Sequence, residues 1–318
     1  GQLNVAIGYN ALTAQNADGY NTSVGAQSME STTTGNYNVA VGRLALNQNT
    51  TGSENVAIGY GALDAQTTAS YNTAVGYQAL TSSTTAIVST AIGWGALSSN
   101  TTGAQNTAVG ANCMQNNTTG GSNVALGRQS MQANTTGNNN TALGYTALIS
   151  NTTADNNTAV GYRALFANTT GTTNTAVGSD ALYANTTGIN NTALGTGAGK
   201  TQTTLHGCTW VGTDAGRVNI ASNNTGVGAG ALYSNTTGTQ NTAVGTGIYG
   251  STQGALGSNT TGDHNTAVGS RSLVLNTTGS SNTAVGDRAL QANTTQSNNT
   301  AVGYRALISN STADQNTA

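Results

Sequence analysis

Aliphatic residues recur along this chain at fixed places inside a repeated five-residue word of the type Asn-Thr-Ala-Val-Gly. The word opens a unit of 17 residues with the consensus N-T-A-V-G-x-x-A-L-x-x-N-T-T-G-x-x, whose positions we number 1 to 17. The word starts at Asn4, Asn21, Asn38, Asn55, Asn72, Ser89, Asn106, Asn123, Asn140, Asn157, Asn174, Asn191, Cys208, Asn224, Asn241, Asn265, Asn282, Asn299 and Asn316. The spacing shortens by one residue before Asn224 and lengthens by seven before Asn265. Such a fixed period is typical of repeat proteins.

The residue types within one unit favour short strands joined by tight turns. Thr, Val and Ile form strands readily, and they stand beside Gly and Asn, which form turns. Gly at two positions per unit opposes a helix. We therefore predict an all-β fold, a β-solenoid (parallel β-roll) in which each unit makes one coil of 17 residues. A single array of about 18 coils would span residues 1–318, with irregular coils at 196–223 and 246–264.

Position 4 is Val, Ile or Leu in every complete unit, which predicts a row that never meets water. Strand alternation places positions 2 and 4 on the same side. Position 9, mostly Leu or Met, would form a second apolar row facing the first across a thin core. The predicted core row includes Ile7, Val41, Val75, Val109, Val160, Val177, Val244 and Val302.

Position 3 is Ala almost throughout, and the same alternation would point it away from that core. A row in water has no physical reason to stay so small and uniform. We therefore predict a homo-oligomer, with a trimer as the leading form, in which this row lines the contact between chains. The predicted inter-chain row includes Ala40, Ala74, Ala108, Ala142 and Ala176. A monomeric solenoid with a flat alanine face is the alternative.

Two polar or small positions have predicted structural roles. Gly at position 5 indicates a corner that needs a positive φ or a close backbone approach. Asn at position 1 would stack into a ladder, its amide bonding to the next coil or to the turn backbone.

Aromatic residues at position 6 and asparagines at position 12 are the candidate contact and modification sites. Exposed rings in a row suit weak, repeated stacking on sugars, although they also suit covering the glycine corners or packing between chains. The candidate glycan or receptor contacts are Tyr60, Tyr77, Trp94, Tyr145 and Tyr162. The Asn-x-Thr words would accept N-glycans, or else form polar turns. The candidate acceptors are Asn134, Asn151, Asn168 and Asn185.

Composition and charge narrow the function classes. Only 6% of residues are charged and the net charge is −2, so no basic stripe suits a nucleic-acid partner. No apolar run is long enough to predict membrane insertion. Without an initiator methionine or a signal peptide, the chain is expected to be a fragment. Cys113 and Cys208 lack metal-ligand spacing, and no catalytic motif occurs, so we expect no enzyme, cofactor or metal.

The two irregular segments are the expected places for exposed loops. His206 and Cys208 fall in the first, but two ligands without a third do not predict a metal site.

The words of the repeat resemble those of known attachment proteins. Residues 4–8 (Asn-Val-Ala-Ile-Gly) and 55–59, which read the same, resemble the head repeats of trimeric autotransporter adhesins. Residues 157–171 resemble the repeat arrays of phage-type tail fibre proteins. The resemblance implies a trimeric, left-handed β-roll displayed outside the cell, on a virion fibre or a cell surface. The unit here is longer than in adhesin heads, and no stalk, anchor or chaperone segment lies within these residues.

The leading functional hypothesis is therefore an extracellular fibre or adhesin shaft for surface attachment. An ice-binding β-solenoid is one alternative, and it would need T-x-T words on one flat strand. A glycosylated extracellular filament protomer is another. A polysaccharide lyase would need charged residues converging on one coil face, whereas the charges here are sparse.

Overall fold

Short parallel strands, one in each unit, make up the regular structure of this chain. The computed structural model describes residues 3–16, 19–247 and 253–318, and these contain no helix. The strands, each of three residues, are β1 (Val5–Ile7), β2 (Thr22–Val24), β3 (Val39–Val41), β4 (Val56–Ile58), β5 (Thr73–Val75), β6 (Thr90–Ile92), β7 (Thr107–Val109), β8 (Val124–Leu126), β9 (Thr141–Leu143), β10 (Thr158–Val160), β11 (Thr175–Val177), β12 (Thr192–Leu194), β13 (Thr209–Val211), β14 (Thr225–Val227), β15 (Thr242–Val244), β16 (Thr266–Val268), β17 (Thr283–Val285) and β18 (Thr300–Val302). Coil n below denotes the unit that contains strand βn.

The chain forms two compact units, Gly1–Asn157 with β1 to β9 and Thr158–Ala318 with β10 to β18. Within each unit every strand pairs in parallel with the next strand along the chain. Equal positions lie side by side, as where Thr73 pairs with Thr90 and Val75 with Ile92. The predicted β-solenoid of 17-residue coils is thereby confirmed.

The corner after each strand requires glycine, as predicted for position 5. Gly76 has a φ of +140°, and a Cβ on it would lie 2.4 Å from the carbonyl oxygen of Gly93 in the next coil. Any side chain would therefore push adjacent coils apart at this corner.

Three further positions adopt the left-handed conformation without glycine, which the sequence did not reveal. In coil 5 they are Gln78, Leu80 and Val88, with φ of 52°, 51° and 56°. This conformation costs roughly 1–2 kcal/mol for each L-residue. It is held because each backbone N–H donates to an adjacent coil, as from Leu80 to the Ala96 carbonyl at 3.0 Å.

The interior of each coil contains the small side chains, so the predicted inter-chain row is wrong. Ala40, Ala74, Ala108, Ala142 and Ala176 are fully buried inside their own coils. Position 8 of the same coils, which is Ala except for Cys113, and the Leu or Met of position 9 are equally buried. The uniform alanine therefore reflects a narrow coil interior rather than a neighbouring chain. The buried apolar row predicted at position 9 is confirmed.

The predicted core row at position 4 is wrong for the same reason. Alternation along the strand is as expected, but position 3 points inward, so positions 2 and 4 point outward. Ile7 and Val302 are each 61% exposed, while Val41 and Val177 are each 36% exposed. The remaining members are half-buried; they are Val75, Val109, Val160 and Val244. The large aliphatic side chains would not fit an interior that one Leu and two Ala already fill.

The predicted asparagine ladder at position 1 is confirmed. The Asn55 side-chain oxygen accepts the Asn72 backbone N–H at 3.0 Å. Its Nδ2 donates to the Ala69 carbonyl at 3.0 Å, and to the side-chain oxygen of Asn38 at 3.1 Å. These side chains are fully buried, so the ladder satisfies polar groups that water does not reach.

Neither of the two irregular segments changes the register in which neighbouring strands pair. Within 196–223, strand β13 pairs in register with β12 and β14, and Trp210 is fully buried. Residues 248–252 of the second segment lie outside the described residues. On either side of it Thr242 still pairs with Thr266, so the seven extra residues leave the sheet intact.

Candidate interaction face

The outward side of the strands presents an uncharged, largely aliphatic surface. We define the outer strand face as the side chains at positions 2 and 4 of the strands, taken separately for β1 to β9 and for β10 to β18. Position 2 is Thr or Val, and position 4 is Val, Ile or Leu, in all of these strands. Neighbouring parallel strands stand about 4.8 Å apart, so equal side chains form close-packed rows.

These rows remain partly exposed although the coil interior is complete. Leu126 is 51% exposed, and Ile58, Ile92 and Leu194 are each 39% exposed. Scattered exposed apolar residues are ordinary, whereas contiguous apolar surface marks a site of association. The outer strand face is therefore the candidate interaction surface of the described chain.

An aromatic ladder of three successive coils, formed by Tyr60, Tyr77 and Trp94 at position 6, stands one residue past the glycine corner that follows each strand. The Tyr60 and Tyr77 rings stack with centroids 5.2 Å apart and planes 13° apart. The guanidinium of Arg43 lies 5.8 Å from the Tyr60 centroid. Tyr60 therefore has a partner for its ring within the chain on each side along the stack. Sugar stacking uses a free ring face, so Tyr60 suits that role less than its sequence position implied.

The other candidate contact residues keep exposed rings. Trp94 is 54% exposed in the next coil after Tyr77. Arg128 lies 5.8 Å from the Tyr145 centroid, and Arg163 lies 4.6 Å from the Tyr162 centroid. A cation over a ring contributes roughly 0.5–1 kcal/mol at exposed sites. A role for these residues in glycan or receptor contact stays a prediction.

A charged cluster of unit 2 is paired within itself. The Asp180 carboxylate accepts bonds from Arg163 at 2.8 and 3.0 Å and from Lys200 at 2.9 Å. Burial raises the pKa of Asp180, but hydrogen bonds from Lys200 and Arg163 outweigh it and hold the pKa below its usual value. The Arg163 guanidinium also lies 4.9 Å from the Tyr183 ring. The cluster therefore joins coils 10, 11 and 12 by charge-assisted hydrogen bonds.

The predicted glycan acceptors are wrong because their side chains are inside the coils. Asn134, Asn151, Asn168 and Asn185 are all fully buried. The Asn134 Nδ2, the atom that a glycan would modify, donates to the Asn117 side-chain oxygen at 2.7 Å and the Gly137 carbonyl at 3.1 Å. An enzyme would have to open the coil to reach it. The asparagines of position 12 form a second internal ladder, which is not predicted from the sequence because the Asn-x-Thr words indicate glycan acceptors or polar turns.

The described residues hold no group of three or more His, Cys, Asp or Glu placed to bind a metal, and no ligand-sized pocket. Cys113 and Cys208 are both buried free thiols. Burial raises the pKa of Cys113 to about 12, although a hydrogen bond with the backbone of Val109 opposes it. Thiols of this kind are poor nucleophiles and metal ligands.

Neither protein-family models nor curated protein sequences yield a match to this chain. Across the residues described, none belongs to a helix with the length and apolarity needed to cross a bilayer.

Proposed function

We propose that this protein is the shaft of an extracellular fibre or adhesin, and that copies of the chain associate through the outer strand face. The observation that carries the proposal is the contiguous aliphatic row of position 4, which lies outside a core that is already filled. Burying apolar surface stabilises by about 25 cal/mol per Å², so these rows favour a partner of similar shape and polarity. A second copy of the chain offers the same rows with the same spacing.

Three copies form the leading assembly, because the family resemblance implies a trimer. Each chain would contribute its outer strand face to a shared apolar centre. The position 3 alanines no longer take part, since they are buried within each coil. The aromatic ladder of position 6 would then border the contact between chains.

The outer strand face also bears on the two alternatives. Each strand presents one Thr or Val beside one aliphatic residue, rather than the T-x-T word that ice binding would use. The filament alternative loses its N-glycan support, since the acceptor asparagines are buried. An apolar protein–protein contact is therefore the better-supported use of this face.

The first experiment measures the mass of the protein in solution. Sedimentation equilibrium should give three times the chain mass of 31.5 kDa for the natural sequence. A variant with Val41→Lys, Val75→Lys and Val109→Lys should sediment as a monomer with an unchanged β-type circular dichroism spectrum. Three lysines in one apolar contact would each lose hydration without gaining a partner.

A matched control places three lysines in the same three coils but away from that face. Thr51, Thr85 and Thr119 occupy position 14 and are exposed. The variant Thr51→Lys, Thr85→Lys and Thr119→Lys should keep the oligomer. A monomeric natural protein would overturn the proposed association, as would an oligomer that only the control disrupts.

The second experiment tests attachment separately. The natural oligomer and the monomeric variant are compared on a panel of immobilised cell-surface polysaccharides. Repeated weak contacts should make the oligomer bind on the order of 100-fold more tightly than the monomer. Failure of the oligomer to bind any of these surfaces would refute attachment to glycans, whereas the proposed association of chains into a shaft is tested by the first experiment.

A further inference from the structure

One coil contains a tryptophan in the row that otherwise holds small residues. Trp210 occupies position 3 of coil 13 and is fully buried. Its indole nitrogen donates to the Gln202 side-chain oxygen at 3.0 Å. A ring of this size cannot enter the interior of an ordinary coil, because position 9 there is filled by Leu or Met.

Four residues that border the indole depart from the consensus. Gly199 and Gly216 stand at position 9 of coils 12 and 13, the two places where the large residue of that row is missing. A Cβ on Gly199 would lie 2.7 Å from the indole Cδ1, and one on Gly216 would lie 2.4 Å from Cδ2. Gly226 replaces the position 3 alanine of coil 14, where a Cβ would lie 2.9 Å from Cε3. Gln202 replaces the shorter Asn of position 12 and so reaches the indole nitrogen.

Near-identical coils leave the pairing of strands ambiguous during folding. A shift by one whole coil keeps every side chain on its proper face, so the apolar pattern does not oppose it. Repeat proteins accordingly misfold by pairing the wrong repeats. A coil that differs from all others can distinguish the correct pairing from a shifted one, if it packs only against its native neighbours.

We propose that Trp210 and its four complementary residues form a register lock, which admits only the pairing of coil 13 with coils 12 and 14. Stacking coil 13 on coil 11 would place Leu182 where Gly199 belongs. Stacking it on coil 15 would place Ala243 where Gly226 belongs. Either change would place a Cβ less than 3 Å from an atom of the indole ring, which is a steric clash. The lock thus excludes skipped coils on both sides.

The test replaces the lock by ordinary coils in the full chain. The five-site variant is Trp210→Ala, Gly199→Leu, Gly216→Leu, Gly226→Ala and Gln202→Asn. The new leucines suit the backbone, since Leu182 at the same position has φ 48° and Gly199 has φ 59°. This variant should therefore fold into filled coils.

Each protein is unfolded in denaturant, refolded, and analysed by hydrogen exchange with mass spectrometry. The natural protein should give one population in which every coil is protected. The five-site variant should give a severalfold larger fraction of molecules with one coil's length of unprotected backbone. Equally uniform protection after refolding would overturn the lock.

Two further variants separate the lock from general packing. Trp210→Ala alone also removes the clash between the indole and a wrong neighbouring coil. It should show the same mixed protection, together with a lower free energy of unfolding. If the five-site variant does not fold, this single variant tests the register lock in its place. Ser23 and Ser28 are a buried hydrogen-bonded pair in coil 2. Their joint change to Ala restores the consensus there and should leave refolding uniform. Mixed protection in this control to the same extent would also refute the proposal.

Discussion

Replacing Asn117 by Asp converts one member of the position 12 ladder into a carboxyl group. Its Nδ2 donates to the Asn100 side-chain oxygen at 2.7 Å and to the Gly120 carbonyl at 2.9 Å. Its side-chain oxygen accepts the Asn134 Nδ2 at 2.7 Å. An ionised Asp has no hydrogen-bond donor, so its carboxylate oxygen would face the buried Asn100 side-chain oxygen and Gly120 carbonyl, which are both acceptors. A protonated Asp keeps one donor and loses one hydrogen bond.

The loss in the free energy of unfolding can be worked out from the cost of keeping the buried carboxyl protonated. An Asp in the unfolded chain has a pKa of about 3.9, and each pH unit above it costs about 1.4 kcal/mol to keep the native carboxyl protonated. At pH 7 this amounts to about 4 kcal/mol. The acceptor left without a donor adds about 1–3 kcal/mol. Asn117→Asp should therefore lower the free energy of unfolding by about 5–7 kcal/mol at pH 7.

The sign of the pH dependence makes the prediction specific. Burial would raise the pKa of the new carboxyl above its unfolded value, so between those values the native state binds one more proton. The penalty should then grow with rising pH and shrink to about 1–3 kcal/mol below about pH 4, where both states are protonated.

Urea unfolding followed by circular dichroism between pH 3.5 and 7 measures this difference. Asn116 is exposed in the same coil and provides the control. Asn116→Asp should change the free energy of unfolding by less than about 0.5 kcal/mol at any pH in this range. Equal effects of the two substitutions, or a penalty for Asn117→Asp that does not vary with pH, would refute the buried ladder.

Two further predictions concern the corners and the thiols. Gly93→Ala should lower the free energy of unfolding by about 3 kcal/mol or more, because φ is +134° and the Cβ would lie 2.6 Å from the Gly110 oxygen. Gly61→Ala at position 7 should cost only about 1–2 kcal/mol in the same denaturation assay, since its Cβ would lie 3.7 Å from the Thr81 hydroxyl oxygen and other coils contain Gln or Arg at this position; equal losses would contradict the distinction. Cys113 and Cys208 should react with a thiol reagent only after unfolding, and rapid reaction of the native protein would show that these coils open.

The sequence alone determined the repeat, the parallel pairing and the register. A period of 17 residues with one strand-forming word per unit admits little besides a stack of coils. The glycine corner of position 5, the asparagine ladder of position 1 and the buried row of position 9 were also readable from residue type. Each of these depends on local chemistry that every coil repeats.

Which side of the strand faces inward was decided only by the tertiary structure. Alternation separates Ala74 from Thr73 and Val75 but does not say which set is enclosed. The width of the coil decides it, because an interior already occupied by Ala79 and Leu80 accepts only a methyl group opposite them. The same closure buries the acceptor asparagines. It leaves the valines of position 4 on the outside, where the chain itself covers them only in part.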